Sequence, residues 1–199
     1  IFFFFSDAAH LCRTDDVAVL VIDVQKRYCD PKCPAIHRDP TDGIRGTEET
    51  KNIAARIKSI IPAFREAGLS IWPVYYRHGS VRLSGRPDAY LFEPLETEDI
   101  CIFKNDDSAF KGSDIHRQLK KSKKTHLLVC GFNLSACVHD TVIDARQKGY
   151  EVSLMLDLTG NDKVNGQDLE RLQSMRRKNI RVIHSEDALK ELRNNSCTL

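Results

Sequence analysis

The sequence contains no apolar run long enough to cross a bilayer, which takes about 20 residues as a helix, so no membrane partner is expected. It also has no surplus of charge: 30 Lys and Arg stand against 28 Asp and Glu, a formal net charge of +2. That balance gives no reason to expect nucleic acid. The basic runs Lys120-Lys121-Ser122-Lys123-Lys124 and Arg176-Arg177-Lys178 fall at expected helix ends, where cations complement the helix dipole. No internal repeat or low-complexity tract divides the chain. A disulfide framework is also lacking. Seven cysteines is an odd count, and Cys101 and Cys130 sit inside apolar runs, as buried free thiols of a reducing, cytoplasmic compartment would. Cys29, Cys33 and His37 do not match a familiar zinc spacing and are interrupted by Pro31 and Pro34, so neither metal nor cofactor is expected. The opening Phe2-Phe3-Phe4-Phe5 is short and has no basic flank or cleavage-like site. It reads as an apolar segment docked on the core rather than a signal peptide.

What the chain does have is 199 residues, 41% of them hydrophobic and 29% charged, enough to bury one sizeable core. A single domain over 1–199 is expected, with residues 1–15 as an N-terminal extension. Short β-branched runs alternate with helical patterns. Strands are predicted at 17–23, 69–76, 100–103, 125–131, 151–157 and 180–185. Helices are predicted at 48–67, closed by Gly68, and at 114–123, 137–148, 166–178 and 186–194, the last with Ser185 as N-cap. The strands are continuously apolar, with no polar alternation, so both faces of the sheet must be covered. The fold class is α/β: three layers, with a doubly wound, mostly parallel six-stranded sheet and helices on both faces. The segment 78–99 has Gly, Pro and Arg but no period, and reads as a variable loop forming a pocket wall.

In doubly wound sheets, ligands bind at the carboxyl ends of the strands, where strand order reverses. Three polar residues stand at such ends: Asp23 after "VAVLVI", Lys104 after "ICIF", and Cys137 one short turn after "LLVCG". With the usual 3-2-1-4 order, Asp23 and Cys137 end neighbouring strands. A thiolate is the nucleophile, an ammonium and a helix N-terminus stabilise it, and a carboxylate can take its proton. The turn from Gly131 to Ala136 brings backbone N–H groups near Cys137, where they suit an oxyanion.

At these residues the sequence resembles the isochorismatase-like cysteine hydrolases, a superfamily that includes nicotinamidases and N-carbamoylsarcosine amidases. The matching pieces are "VLVIDVQKRY", "FKNDDSAFKGSDI" and "GFNLSACVHDTVIDARQKGYEV". The resemblance implies a catalytic Asp23 as base, Lys104 as its electrostatic partner and Cys137 as nucleophile. It implies a cis peptide between Phe132 and Asn133, with the N–H groups of Asn133 and Cys137 as the oxyanion hole. Gln25, Tyr28, His78 and Phe110 are implied as substrate-binding residues, and a homo-oligomer as the assembly. Nicotinamidases carry an Asp-x-His metal motif after the second strand; here the stretch is Tyr76-Arg77-His78, which keeps the histidine and lacks the carboxylate. The "DVQ" is followed by Lys26-Arg27 where Asn-Asp is usual.

The expected activity is hydrolysis of a small amide or carbamoyl compound through a thioester. Two alternatives are an isochorismatase-type enol-ether hydrolase that uses the aspartate alone, and a catalytically silent binding or oligomerisation module. Arg77, Arg82 and Arg86 would suit a carboxylate-bearing substrate. A papain-like pair with His139 is disfavoured, because residues two apart on a helix face different ways.

Overall fold

A computed structural model of the chain describes residues 14–33, 46–77, 99–161 and 168–196. The Phe2–Phe5 segment, His37, His78 and nearly all of the expected pocket loop lie outside them. Six strands, β1 (Val17–Ile22), β2 (Ser70–Tyr76), β3 (Ile102–Lys104), β4 (His126–Phe132), β5 (Glu151–Gly160) and β6 (Arg181–Ile183), form one sheet. Their order is β3-β2-β1-β4-β5-β6 and every pairing is parallel. The chain runs outward from β1 through β2 to β3, then returns to β4 on the other side of β1. The order therefore reverses between β1 and β4, and this opens the crevice used by such sheets.

The helices are α1 (Lys26–Cys29), α2 (Glu48–Glu66), α3 (Ile115–Lys121), α4 (His139–Gln147), α5 (Asp168–Arg177) and α6 (Ser185–Ser196). Successive strand residues point to opposite layers. Val17, Val19 and Val21 pack with Leu128, Cys130 and the Ile53, Ile57 and Phe64 face of α2. Ala18, Leu20 and Ile22 pack with Leu127, Val129, the Ile115 and Leu119 of α3, and Val142 and Ala145 of α4. With helices on both faces, each residue of β1 is buried, which is why the run carries no polar alternation. Each buried Val, Leu or Ile contributes about 1.5–3 kcal/mol through the area it removes from water.

Helix α2 shows how local chemistry sets the boundaries. Thr47 caps it through its hydroxyl, which accepts from Thr50 N–H at 3.1 Å, and Thr50 returns the favour to Thr47 N–H at 2.7 Å. At the other end Gly68 adopts φ +80°, Gly68 N–H reaches Arg65 O at 2.8 Å and Leu69 N–H reaches Phe64 O at 3.0 Å. This is the left-handed closure that glycine makes without a Cβ clash.

Several boundaries differ from expectation: β3 is Ile102–Lys104, so Lys104 lies in the strand, β5 continues to Gly160, and β6 is only Arg181–Ile183. Two further differences concern helix starts. The segment before α4 is a π-helical turn, Leu134–Val138, so Cys137 stands in a turn rather than on the α-helix. Ser185 is not the N-cap of α6: Ala188 N–H bonds back to His184 O at 3.1 Å, which places the helix start one residue earlier. The Ser185 hydroxyl instead donates to Asp157. A carboxylate across the sheet end competes better for that hydroxyl than the helix's own N–H groups do. The free cysteines Cys29, Cys33, Cys101, Cys130 and Cys137 form no disulfide.

Candidate active site

Strand registry gathers the site. Ile22 pairs with Gly131 across β1 and β4, Ile22 with Val74 across β1 and β2, and Tyr76 with Lys104 across β2 and β3. The residues that follow these pairs emerge at one level. Asp23 leaves β1 in a left-handed conformation, φ +51°, with its N–H on Val74 O at 2.8 Å. A non-glycine residue held there is strained, and such strain persists where the surroundings enforce it. Opposite, Gly131 has φ +114°, and a Cβ on it would come 2.0 Å from Ile22 O. Only glycine lets β4 approach β1 this closely just below Asp23.

Asp23 and Lys104 are both buried, at 2% and 1% exposure. Lys104 Nζ lies 2.9 Å from Asp23 Oδ2 and donates to the carbonyls of Asp106 at 3.1 Å and Asp107 at 3.0 Å. The Tyr76 ring sits 4.5 Å from the same nitrogen. Two of its three N–H groups are taken by those carbonyls, and the ammonium faces Asp23 in an ion pair whose alignment falls short of a full hydrogen bond to either carboxylate oxygen. Burial pushes the Asp23 carboxyl above its ordinary range, and Lys104 only partly opposes this. Burial acts to lower the Lys104 ammonium, but Asp23 and Cys137 outweigh it and hold the charged form.

Cys137, partly buried, is close enough to Asp23 and Lys104 for hydrogen-bond-range coupling with each. Burial, followed by the Asp23 charge, drives the thiol far above its normal value; Lys104 offsets only part. Desolvation beside a carboxylate favours the protonated thiol. The thiol also donates to Asp107 Oδ1 at 3.6 Å.

The turn around Cys137 is held from three sides. Its entry peptide, Phe132–Asn133, is cis. Asn133 O collects the N–H groups of Ala136 at 3.1 Å and Val138 at 3.0 Å. Asn161, just past β5, accepts from both the N–H and the hydroxyl of Ser135, at 2.9 and 3.1 Å, and donates to Asp168 at 2.7 Å. The buried Thr141 hydroxyl accepts from Ala109 N–H at 3.0 Å, tying α4 to the loop that carries Asp107. Asp107, Asn161 and Thr141 were not singled out from the sequence. The signal for Asn161 was present, since it is a polar residue at a strand's carboxyl end, as Asp23 is.

The expected substrate-binding residues are dispersed. The Gln25 amide is taken up by the Tyr76 backbone, accepting at 2.8 Å and donating at 3.4 Å, which makes it a clamp between strand ends. Tyr28 is buried in the core with Cys29 and Ile53. Phe110 belongs to an aromatic cluster with Tyr150 at 5.7 Å and His116 at 6.3 Å. His78 lies outside the described residues.

The described residues at the end of β2, Tyr76 and Arg77, offer no carboxylate to a divalent metal. Tyr76 covers Lys104, and Arg77, a cation, stacks over Phe103 at 4.1 Å. Among the described residues no three His, Cys, Asp or Glu side chains converge on a metal-sized space.

A doubly wound parallel sheet with an acid, an amine and a thiol near its reversal point defines an α/β protein with a candidate site at the carboxyl ends of its strands. Residues 17–187 match the model of the isochorismatase domain, and the chain belongs to this isochorismatase-like hydrolase family. It is 23% identical over 167 residues, 80% of each chain, to the secreted isochorismatase effector Isc1 of Verticillium dahliae. Its fold is that of a cysteine hydrolase from Pseudomonas syringae pv. phaseolicola (TM-score 0.77, 18% identity, covering 96% of this chain and 100% of that one). It is also that of the pyrazinamidase of Pyrococcus horikoshii, solved in complex with zinc (TM-score 0.70, 21% identity, 85% and 99% covered). No helix among the described residues is long and apolar enough to cross a membrane.

Proposed function

We propose that this protein is a cysteine-dependent hydrolase that cleaves the C–N bond of a small amide or carbamoyl compound through a thioester. One observation carries the reading: Asp23, Lys104 and Cys137, far apart in sequence, share one buried cluster in which the carboxylate lacks an aligned donor. A carboxylate tied up by hydrogen bonds is a poor base, whereas one raised by burial has more affinity for a proton. In the proposed cycle Asp23 takes the Cys137 proton as sulfur attacks the substrate carbonyl. The N–H groups of Asn133 and Cys137 receive the oxyanion. Asp23 then returns the proton to the departing amine or ammonia, and afterwards activates the water that hydrolyses the thioester. Lys104 keeps Asp23 ionised between turnovers. A soluble homo-oligomer working in the cytoplasm on a small molecule, without a cofactor, completes the proposal.

The reading is tested by single-turnover mass spectrometry with a panel of small amides and carbamoyl compounds. The expected result is a covalent adduct on Cys137, absent in Cys137→Ala and formed about two to four orders of magnitude more slowly in Asp23→Asn. Adduct formation at full rate in Asp23→Asn removes Asp23 as base. Full turnover of isochorismate by Cys137→Ser would instead make the protein an enol-ether hydrolase.

A further inference from the structure

The nucleophile touches a second carboxylate. Cys137 Sγ donates to Asp107 Oδ1 at 3.6 Å, and Asp107, unlike Asp23, is exposed. It thus stands on the side of the sulfur from which a substrate must arrive. The charge around the thiol does not cancel. Lys104 is committed to Asp23 and to two backbone carbonyls. Arg77 is held over the Phe103 ring, whose side chain leaves β3 on the face opposite Lys104. Among the described residues, the negative charge of Asp107 is therefore left uncompensated at the mouth of the site.

We infer that Asp107 determines specificity: it selects amides bearing an ammonium, amidinium or guanidinium group close to the scissile carbonyl, and disfavours carboxylate-bearing ones. This assignment rests on Cys137 being the nucleophile of the proposed amide hydrolase. Attack requires negative charge to build on sulfur, and Asp107 opposes that as a like charge at contact distance. A substrate cation lying between the two groups relieves the repulsion and donates to Asp107 the hydrogen bond that the thiol gives up. An anionic substrate adds a third negative charge to the same space. Because water screens an exposed carboxylate, the expected preference is modest, about tenfold per charge.

The test uses two thiol reagents of matched shape, the cationic trimethylammonioethyl and anionic sulfonatoethyl methanethiosulfonates. Each transfers its thioalkyl group to the Cys137 thiolate and releases methanesulfinate, and labelling of Cys137 is followed by peptide mass spectrometry. The cation-to-anion rate ratio is expected to fall about tenfold in Asp107→Asn, and to shrink with rising salt in the unaltered protein. Asp106→Asn, which removes the adjacent exposed charge, is expected to move the ratio by less than half as much. An unchanged ratio in Asp107→Asn, or an equal change in Asp106→Asn, overturns the assignment. In parallel, kcat/KM for cationic relative to carboxylate-bearing amides is expected to fall about tenfold in Asp107→Asn. If no amide is turned over while the labelling ratio shifts as expected, the amidase reading fails and the charge selection by Asp107 stands. If amides are hydrolysed and neither ratio moves, the amidase reading stands and Asp107 is overturned.

Discussion

Two aspartates occupy comparable places at the carboxyl side of the sheet and live in opposite surroundings. Asp157, in β5, is satisfied: one oxygen accepts from Ser185 N–H at 2.8 Å and the other from the Ser185 hydroxyl, so the residue anchors the start of α6. Its side chain is 25% exposed, and water reaches it. Asp23, 2% exposed, faces an ammonium 2.9 Å away and a thiol, yet neither oxygen receives an aligned hydrogen bond. Fully bonded, a carboxylate holds structure; buried and under-bonded, it is held ready to take a proton. The difference lies not in the residue type or the strand position but in what the next loop sends back.

The sharpest way to break this contrast is to remove the Asp23 partner. Lys104→Met leaves a carboxylate buried without compensation, which should cost about 3–5 kcal/mol at neutral pH. The Asp23 carboxyl is already raised, and losing Lys104 raises it further. A raised acid binds a proton more readily when folded than when unfolded, so the penalty vanishes below the unfolded value near 3.8 and grows as pH climbs toward the folded one. Denaturant unfolding of Lys104→Met should therefore show stability recovering on acidification, and the double change Lys104→Met with Asp23→Asn should restore most of the loss at pH 7. A cost below about 1 kcal/mol in the single variant, the usual worth of an exposed pair, would mean that Asp23 is effectively solvated and the contrast is false.

How much of this contrast could be read from the chain depends on what each feature obeys. The strands were legible because a parallel sheet covered on both faces demands unbroken apolar runs, and "VAVLVI" is one. Asp23 and Lys104 could be placed at strand ends because polar residues there close apolar runs, and Cys137 follows β4 by one turn. The rest depended on loop backbone, which leaves no period. Whether Asp107 or Asp106 turns toward sulfur follows from the path after β3, where both carbonyls are drawn to Lys104. Tyr28, implied as a pocket aromatic, is buried with Cys29 and Ile53, where α1 meets α2. Ser185 has the composition of a cap, and lost that task to a carboxylate 28 residues earlier in the chain. Local pattern reads local structure, and these outcomes were decided by contacts across the sheet.

A third buried polar group sharpens the rule that satisfaction goes with structure. His126, at the start of β4, is 6% exposed and its Nε2 lies 3.0 Å from the Ser153 hydroxyl. Burial first, and Arg181 second, lower its pKa from 6.5 to about 4. The folded protein thus keeps the ring neutral while the unfolded chain protonates, and stability is complete above pH 6.5 and is lost as pH falls from there toward 4. Across that window the loss should reach about 3 kcal/mol, the size of the shift converted at about 1.4 kcal/mol per unit. Unfolding free energies measured from pH 7 to 4 should show this slope, and His126→Gln should flatten it.

The smallest effect is expected at Asp157, and its smallness is the point. Ser185→Ala removes the hydroxyl that Asp157 Oδ2 accepts but leaves the Ser185 N–H bond to Oδ1 in place. The freed oxygen belongs to a side chain that water already reaches, so the cost should be about 1–1.5 kcal/mol, the low end for a hydrogen bond to a charged group, because solvent can re-satisfy it. Neither Asp157 nor Ser185 bonds to Cys137, so methanethiosulfonate labelling of Cys137 should stay within about twofold of the unaltered protein, a change of under half a kcal/mol. A loss near the value expected for Lys104→Met would show that Asp157 is as poorly solvated as Asp23. A marked change in Cys137 labelling would show that the two ends of the sheet are coupled, so that Asp157 reaches the site through β5 and Asn161 rather than merely fastening α6.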